Sequence, residues 1–118
     1  MEYCTYEDLL KDICEEVYCY DEFGSYQGDW FAKVKYNGKI CWIHGWYGSC
    51  SCCDWLQAQD FNGNIKQSFI TEYLEPSMIL TQEEAEKEAS KNIDWDSEAE
   101  NVLAFIKKHK SDGYVGDI

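Results

Sequence analysis

Hydrophobic residues recur at helical spacing near the start of the chain. They lie three or four positions apart, as on one face of an α-helix, and mostly charged residues fill the positions between them. Thr5 stands just before this stripe and Asp8 three residues later, a box-like arrangement for the first turn of a helix. We expect a helix that ends near Val17, followed by a polar loop over residues 19–29. The stripe consists of Tyr6, Leu9, Leu10, Ile13 and Val17.

Residues 30–46 carry the strongest β pattern of the chain. Two runs rich in β-branched and aromatic residues flank Asn37-Gly38, and both of these residues readily adopt the positive φ of a type I′ turn. The sequence therefore predicts a β-hairpin over residues 30–46. Its register pairs Tyr36 with Lys39, Val34 with Cys41 and Ala32 with Ile43.

This register divides the side chains of the hairpin between two faces. The apolar face should be core and comprises Trp30, Ala32, Val34, Cys41 and Ile43. The mixed face comprises Phe31, Lys33, Lys35, Ile40, Trp42, His44 and Trp46. Lys33 lies opposite Trp42, which allows a cation–π contact, and Phe31 lies opposite His44. Because a hairpin with apolar side chains on both faces usually lies between two layers, we expect Trp42 and Trp46 to be buried.

The segment after the hairpin contains one tight turn and one ambiguous element. The turn at residues 48–54 leads into a short helix that Ser51 can cap. Residues 65–74 fit either a helical stripe or a strand, and Pro76 should end whichever forms. Residues 78–80 can add a third strand to the hairpin.

Two further helices are expected near the end of the chain, each with a capping box. One runs from Gln82 to about Lys91 and has little apolar surface, whereas the other carries apolar residues at core spacing and ends in lysines. Residues 111–118 are expected to form a loose tail. The capping boxes are Thr81 with Glu84 and Ser97 with Glu100, and the core positions of the last helix are Ala99, Val102, Leu103 and Ile106.

Together these elements predict an α+β fold. A small antiparallel sheet, built on the hairpin 30–46 with a third strand near 78–80, packs against N-terminal and C-terminal helices. At 118 residues the chain has the length of a single domain, 1–118, with one core. With apolar residues at 45% of the chain, it has enough apolar surface to fold despite its high charge.

The charge of the chain excludes one class of function. The formal net charge is −13, and all ten basic residues are lysines, without a single arginine. Because nucleic-acid binding relies on a basic face and on arginine contacts to phosphates and guanines, direct nucleic-acid binding is disfavoured, as is docking on an anionic membrane. The seven cysteines are odd in number and irregularly spaced, and no leader or membrane-spanning run is visible. We therefore expect a cytoplasmic protein without a disulfide framework.

The acidic residues concentrate on the two ends of the chain. This distribution suits a negative surface that occupies the positive cleft of a basic partner, although a solvated face that keeps the protein soluble accounts for it too. The acids predicted to contact such a partner are Asp8, Asp12, Glu15, Glu16, Glu83, Glu84, Glu86, Glu88, Asp94, Asp96, Glu98 and Glu100.

A cysteine cluster in the 48–54 turn is the sharpest chemical signal. Cys50 and Cys53 have the spacing used by zinc sites and by redox pairs. His44, Cys41 or an N-terminal cysteine is a candidate further ligand, and His44 is a candidate base. A structural zinc site normally needs two such pairs, and only one is present. The simplest alternative is that these cysteines pack as small apolar residues. No cofactor is expected, with zinc as the alternative.

Two stretches of the chain read Phe23-Gly24-Ser25-Tyr26-Gln27-Gly28-Asp29-Trp30 and Gly45-Trp46-Tyr47-Gly48-Ser49-Cys50-Ser51-Cys52-Cys53-Asp54. Together they resemble a group of small phage and mobile-element proteins that has no settled activity. Cys52 stands where a glycine is common in that group, which argues against an essential role for Cys52. A phage origin implies an inhibitor of host defence, such as an anti-CRISPR protein.

Two hypotheses of function follow. The first is an interaction protein, not an enzyme, that binds and inhibits a basic host protein such as a nucleic-acid-binding effector. The alternative is a metal- or thiol-dependent protein that uses Cys50 and Cys53, with His44 in support. A third class, a small-ligand binder, would need an open pocket lined by the aromatic residues of the hairpin.

Overall fold

The computed structural model describes residues 5–24, 28–47, 63–91 and 99–111. It has the predicted α+β fold, with a four-stranded antiparallel sheet of order β1-β2-β3-β4. The strands are β1 (Glu16–Gly24), β2 (Gly28–Tyr36), β3 (Lys39–Tyr47) and β4 (Met78–Ile79). The helices are α1 (Tyr6–Ile13), α2 (Ile65–Phe69), α3 (Glu75–Ser77), α4 (Gln82–Ser90) and α5 (Ala99–Lys108), and a π-helical turn (Ile70–Leu74) joins α2 to α3 in one helix, called here the 65–77 helix.

The central hairpin forms with the predicted register. Asn37 has φ of 52° and Gly38 of 78°, which are the two positive values that a type I′ turn requires. All three predicted pairs occur between β2 and β3: Tyr36 with Lys39, Val34 with Cys41 and Ala32 with Ile43. Because the turn fixes the register, it also decides which side chains share a face.

The prediction was wrong where it placed the end of α1 and a loop after it. The helix ends at Ile13, Cys14 is already extended, and the Glu15 N–H donates to the Lys35 carbonyl at 2.8 Å. The predicted loop is largely the strand β1, which pairs along its length with β2. A bulge between Val17 and Cys19 shifts the alternation of side chains, so no two-residue period runs through this strand.

The sheet lies between two layers of helices, with a core on each face. On the face predicted to be core, Trp30 and its neighbours pack against α1 and the 65–77 helix. On the mixed face, Phe31 and Trp42 pack against α4 and α5. Trp42 is 1% exposed, as expected, but the prediction for Trp46 was wrong, because its side chain is 51% exposed.

The ambiguous segment is helical, and it continues one residue past Pro76 to Ser77. The third strand of the prediction is present as β4, which pairs with β3 through Met78 and Ile79. At α4 the Glu84 N–H donates to the Thr81 hydroxyl at 3.1 Å, which confirms that cap. The predicted helix after Ser51, the Ser97 cap and residues 112–118 of the predicted tail lie outside the described residues.

Glu22 on β1 and Trp46 on β3 have main-chain groups that are hydrogen-bonded to side chains. On β1 the Glu22 N–H donates to the Asp21 carboxylate at 2.9 Å. On β3, β4 covers the strand only at Trp42 and Ile43. Farther along β3, the Tyr73 hydroxyl accepts from the N–H of Trp46 at 2.6 Å and donates to its carbonyl at 2.7 Å. Such devices limit the pairing of further strands with an exposed edge.

Candidate functional site

The predicted acidic surface is divided by the sheet. Helix α1 belongs to the core on the Trp30 face, whereas α4 and α5 belong to the core on the Trp42 face. The acids of α1 and those of α4 therefore face opposite sides of the molecule. A single flat partner surface can contact one group or the other but not both, so we treat them as two separate surfaces.

The acids near α1 are largely engaged within the protein. Asp12 forms an ion pair with Lys66 at 2.9 Å. Glu15 lies between α1 and β1, not on a helix, and accepts a hydrogen bond from the Gly38 N–H at 3.0 Å. Glu16 begins β1 and was likewise wrongly placed on the helix, and it lies opposite the basic Lys35 of β2. Asp8 is exposed in the first turn of α1, where a carboxylate stabilises the helix dipole.

Helix α4 presents a denser acidic surface. It carries four glutamates against one lysine, and only its two alanines, Ala85 and Ala89, are buried. Glu83 and Glu84 are exposed, Glu86 accepts a hydrogen bond from the neutral Gln82 at 2.9 Å, and Glu88 pairs with Lys91 at 3.2 Å. Because most of these charges have no cation as partner among the described residues, α4 is the more negative of the two surfaces. We call Glu83, Glu84 and Glu86 the α4 acidic surface.

The remaining predicted acids are Asp94, Asp96, Glu98 and Glu100. Glu100 is exposed on the first turn of α5. Asp94, Asp96 and Glu98 lie outside the described residues.

His44 lies between two carboxylates that sequence reasoning did not connect with it. Its Nε2 lies 2.9 Å from Asp29 Oδ1 and its Nδ1 lies 3.8 Å from Glu88 Oε1, while the ring stacks on Phe31 with centroids 4.3 Å apart. The predicted Phe31–His44 pair is thus confirmed. The hairpin register predicts that Asp29 lies near His44. Asp29 is two residues before Phe31, the direct partner of His44, and is therefore its diagonal neighbour on the same face. The position of Glu88 near His44 depends on where α4 packs on the sheet, and no local sequence pattern predicts that packing.

Of the residues named for the predicted metal or thiol site, the structure describes only His44 and Cys41. Both ring nitrogens of His44 have a carboxylate oxygen as neighbour, and Cys50 and Cys53 lie outside the described residues. Cys41 cannot join His44 in one ligand shell, because it is 1% exposed in the core on the other face of the sheet. Within the described ranges, no three His, Cys, Asp or Glu side chains are grouped so that they could hold a metal ion.

The two buried thiols are chemically quiet. Burial raises the pKa of Cys14 to about 12, with Cys41 and Glu15 adding to the effect, and raises the pKa of Cys41 to about 11. Since the thiolate is the reactive form, both side chains stay protonated at neutral pH and act as packing residues.

Lys33 fixes α5 to the sheet. Its side chain is completely buried, and its ammonium donates to the carbonyls of His109 and Lys110 at 3.1 and 2.9 Å. The same nitrogen lies 5.7 Å from the centroid of the Trp42 ring, which confirms the predicted cation–π pair. A cation at these carbonyls stabilises the C-terminal end of the helix, so Lys33 has a structural role.

A stack of three aromatic rings leads from the surface to the core. The Trp46 and Tyr73 centroids are 4.6 Å apart, and those of Tyr73 and Phe69 are 5.1 Å apart. Trp46 is 51% exposed, whereas Tyr73 is 1% and Phe69 0% exposed. Together with the two hydrogen bonds from Tyr73 to its backbone, this stack holds an exposed indole in one place.

A scan against protein-family models finds no matching family, and searches of curated proteins and of solved structures return no significant match. Every helix in the described part of the chain is too short or too polar to cross a membrane. Function is therefore inferred below from the residues and their geometry alone.

Proposed function

We propose that the protein is a small binding protein that recognises a basic protein and blocks it through the α4 acidic surface. The partner class that fits best is a nucleic-acid-binding effector of a host defence system, whose positive cleft the carboxylates would occupy in place of phosphates. The protein would act in the cytoplasm of the host cell. This role needs no catalytic group and no cofactor.

One observation carries the proposal. The buried residues of α4 are Ala85 and Ala89, and Gln82 and Glu88 also contact the sheet, through Trp42 and His44. The three glutamates of the α4 acidic surface have no cation as partner among the described residues, so they are available to a partner. Glu83 and Glu84 stabilise the helix dipole as well, but an effect on the dipole falls off within the first turn. Glu86 lies beyond that turn and has only a neutral partner, Gln82. Helix capping therefore does not account for the whole surface.

The physical consequence is electrostatic steering. A negative surface on a protein with net charge −13 raises the rate at which a positive partner finds it, and salt weakens this attraction. Affinity should fall steeply between about 50 and about 300 mM NaCl, because the screening length shortens over that range.

A pair of matched variants tests the proposal. The triple variant Glu83→Gln, Glu84→Gln and Glu86→Gln removes three negative charges from the α4 side. The control Asp8→Asn, Asp12→Asn and Glu72→Gln removes the same number from the α1 side, where Glu72 is exposed on the 65–77 helix. Both proteins would be titrated against purified basic nucleic-acid-binding proteins by calorimetry at low and high salt.

The α4 variant should bind about tenfold more weakly at low salt, with the difference shrinking at high salt, while the control changes by about twofold or less. Equal losses in both variants would show that net charge matters and α4 does not. Binding that ignores both salt and the α4 substitutions would refute the proposed function.

A further inference from the structure

We propose that the exposed indole of Trp46 is the contact point for an arginine or lysine side chain of the partner, with the carboxylate of Asp29, its cross-strand partner on β2, as a second contact. This inference rests on the proposed function and names a contact within it. The occupant is a basic segment of another protein, in which one cationic side chain lies on the open face of Trp46.

Contacts within the protein hold the Trp46 indole in place. Tyr73 stacks on it at 4.6 Å and bonds both the N–H and the carbonyl of its backbone, and Tyr73 itself is buried against Phe69. An exposed side chain that is already ordered loses little conformational entropy on binding. Tryptophan is also among the residue types that most often dominate the binding energy of interfaces.

The neighbouring carboxylates select a cation as the occupant. Asp29 is the cross-strand partner of Trp46, and directly opposite residues have Cβ atoms only about 5 Å apart. His44 holds the Asp29 carboxylate at 2.9 Å. Glu88 of α4 lies farther from His44, at 3.8 Å, and forms its shorter ion pair with Lys91, at 3.2 Å. A cation on the indole face would gain the ring attraction and a carboxylate contact at once.

Among the residues that the structure describes, one other large apolar side chain is exposed, and it lacks these features. Leu80 is 53% exposed, about as much as Trp46, but it has no aromatic ring and follows the two-residue strand β4. It is therefore a matched control for loss of exposed apolar surface. Arginine should be preferred over lysine, because its planar guanidinium stacks on an aromatic face and bonds a carboxylate in two places.

The test uses end-blocked octa-arginine and octa-lysine peptides as probes in about 20 mM salt, where screening is weak. In the nitrogen-15-labelled protein, the indole N–H signal of Trp46 is assigned with Trp46→Phe. That signal should shift during titration, while the signals of the buried Trp30 and Trp42 should stay in place. Affinity for octa-arginine should fall about three- to thirtyfold in Trp46→Ala and within about twofold in Leu80→Ala. Asp29→Asn should weaken binding as well.

The outcomes separate this inference from the proposed function. One outcome is that the peptide binds, that the α4 substitutions weaken this binding, and that the Trp46 signal does not move. The proposed contact at Trp46 is then wrong, while binding through the α4 acidic surface is supported. If wild-type protein binds neither peptide, the proposed function fails and this inference fails with it. Because the indole shift is read in the wild-type protein, the test holds even if Trp46→Ala is unstable.

Discussion

Replacing Tyr73 with phenylalanine removes one hydroxyl and leaves the aromatic stack in place. That hydroxyl makes two hydrogen bonds to the backbone of Trp46, at 2.6 and 2.7 Å. A hydrogen bond of this kind contributes about 1 kcal/mol net. Water can replace part of the loss, since Trp46 itself is half exposed. We therefore expect Tyr73→Phe to lower the free energy of unfolding by about 1.5 kcal/mol.

Urea unfolding followed by far-UV circular dichroism measures this loss without relying on tryptophan fluorescence, which the change itself would alter. The melting temperature should fall by about 5 °C. Tyr36→Phe is the matched control, because the Tyr36 hydroxyl donates to exposed Glu75 at 3.3 Å, and its loss should cost about 0.5 kcal/mol or less. Equal losses in the two variants would refute the idea that Tyr73 holds the β3 edge.

Two further predictions concern a glycine and the buried thiols. A Cβ on Gly45 would collide with the Trp30 indole, so Gly45→Ala should cost about 3 kcal/mol in urea unfolding, whereas Gly63→Ala, which has open space around it, should change stability little. Mass spectrometry should find Cys14 and Cys41 protected from iodoacetamide in the folded protein at pH 8, and modification as fast as in urea would contradict this. Because folding raises the pKa of both thiols above their ordinary value of 9.0, the unfolded chain loses these protons first. The stabilisation that the two protonated thiols provide is thus complete below pH 9 and declines above it. The free energy of unfolding should fall by at most about 1.4 kcal/mol per pH unit per thiol. This fall with pH should be shallower in a Cys14→Ala, Cys41→Ala double variant.

The hairpin could be predicted in detail because its information is local. Asn37-Gly38 fixes the turn, and the turn fixes every cross-strand pair. The strand β1 could not be predicted in the same way, because the bulge between Val17 and Cys19 breaks the period on which such a prediction depends.

The candidate site was only partly visible in the sequence, and the reason is tertiary packing. Trp42 and Trp46 belong to the same strand and were both expected to be buried. Only Trp42 is covered by α4 and α5, and nothing in the local sequence says how far those helices reach. For the same reason Glu88 beside His44 could not be foreseen, whereas Asp29 follows from the register once β2 is extended.

The two edges of the sheet limit how a strand of another molecule can pair with it. At Glu22 and at Trp46, main-chain groups that an incoming strand would need are taken by the protein's own Asp21 and Tyr73. A further strand would have to break these bonds before it could pair with the sheet at Glu22 or at Trp46. At these two positions a binding partner would therefore meet side chains, which can be substituted one at a time without changing the backbone pairing of the sheet.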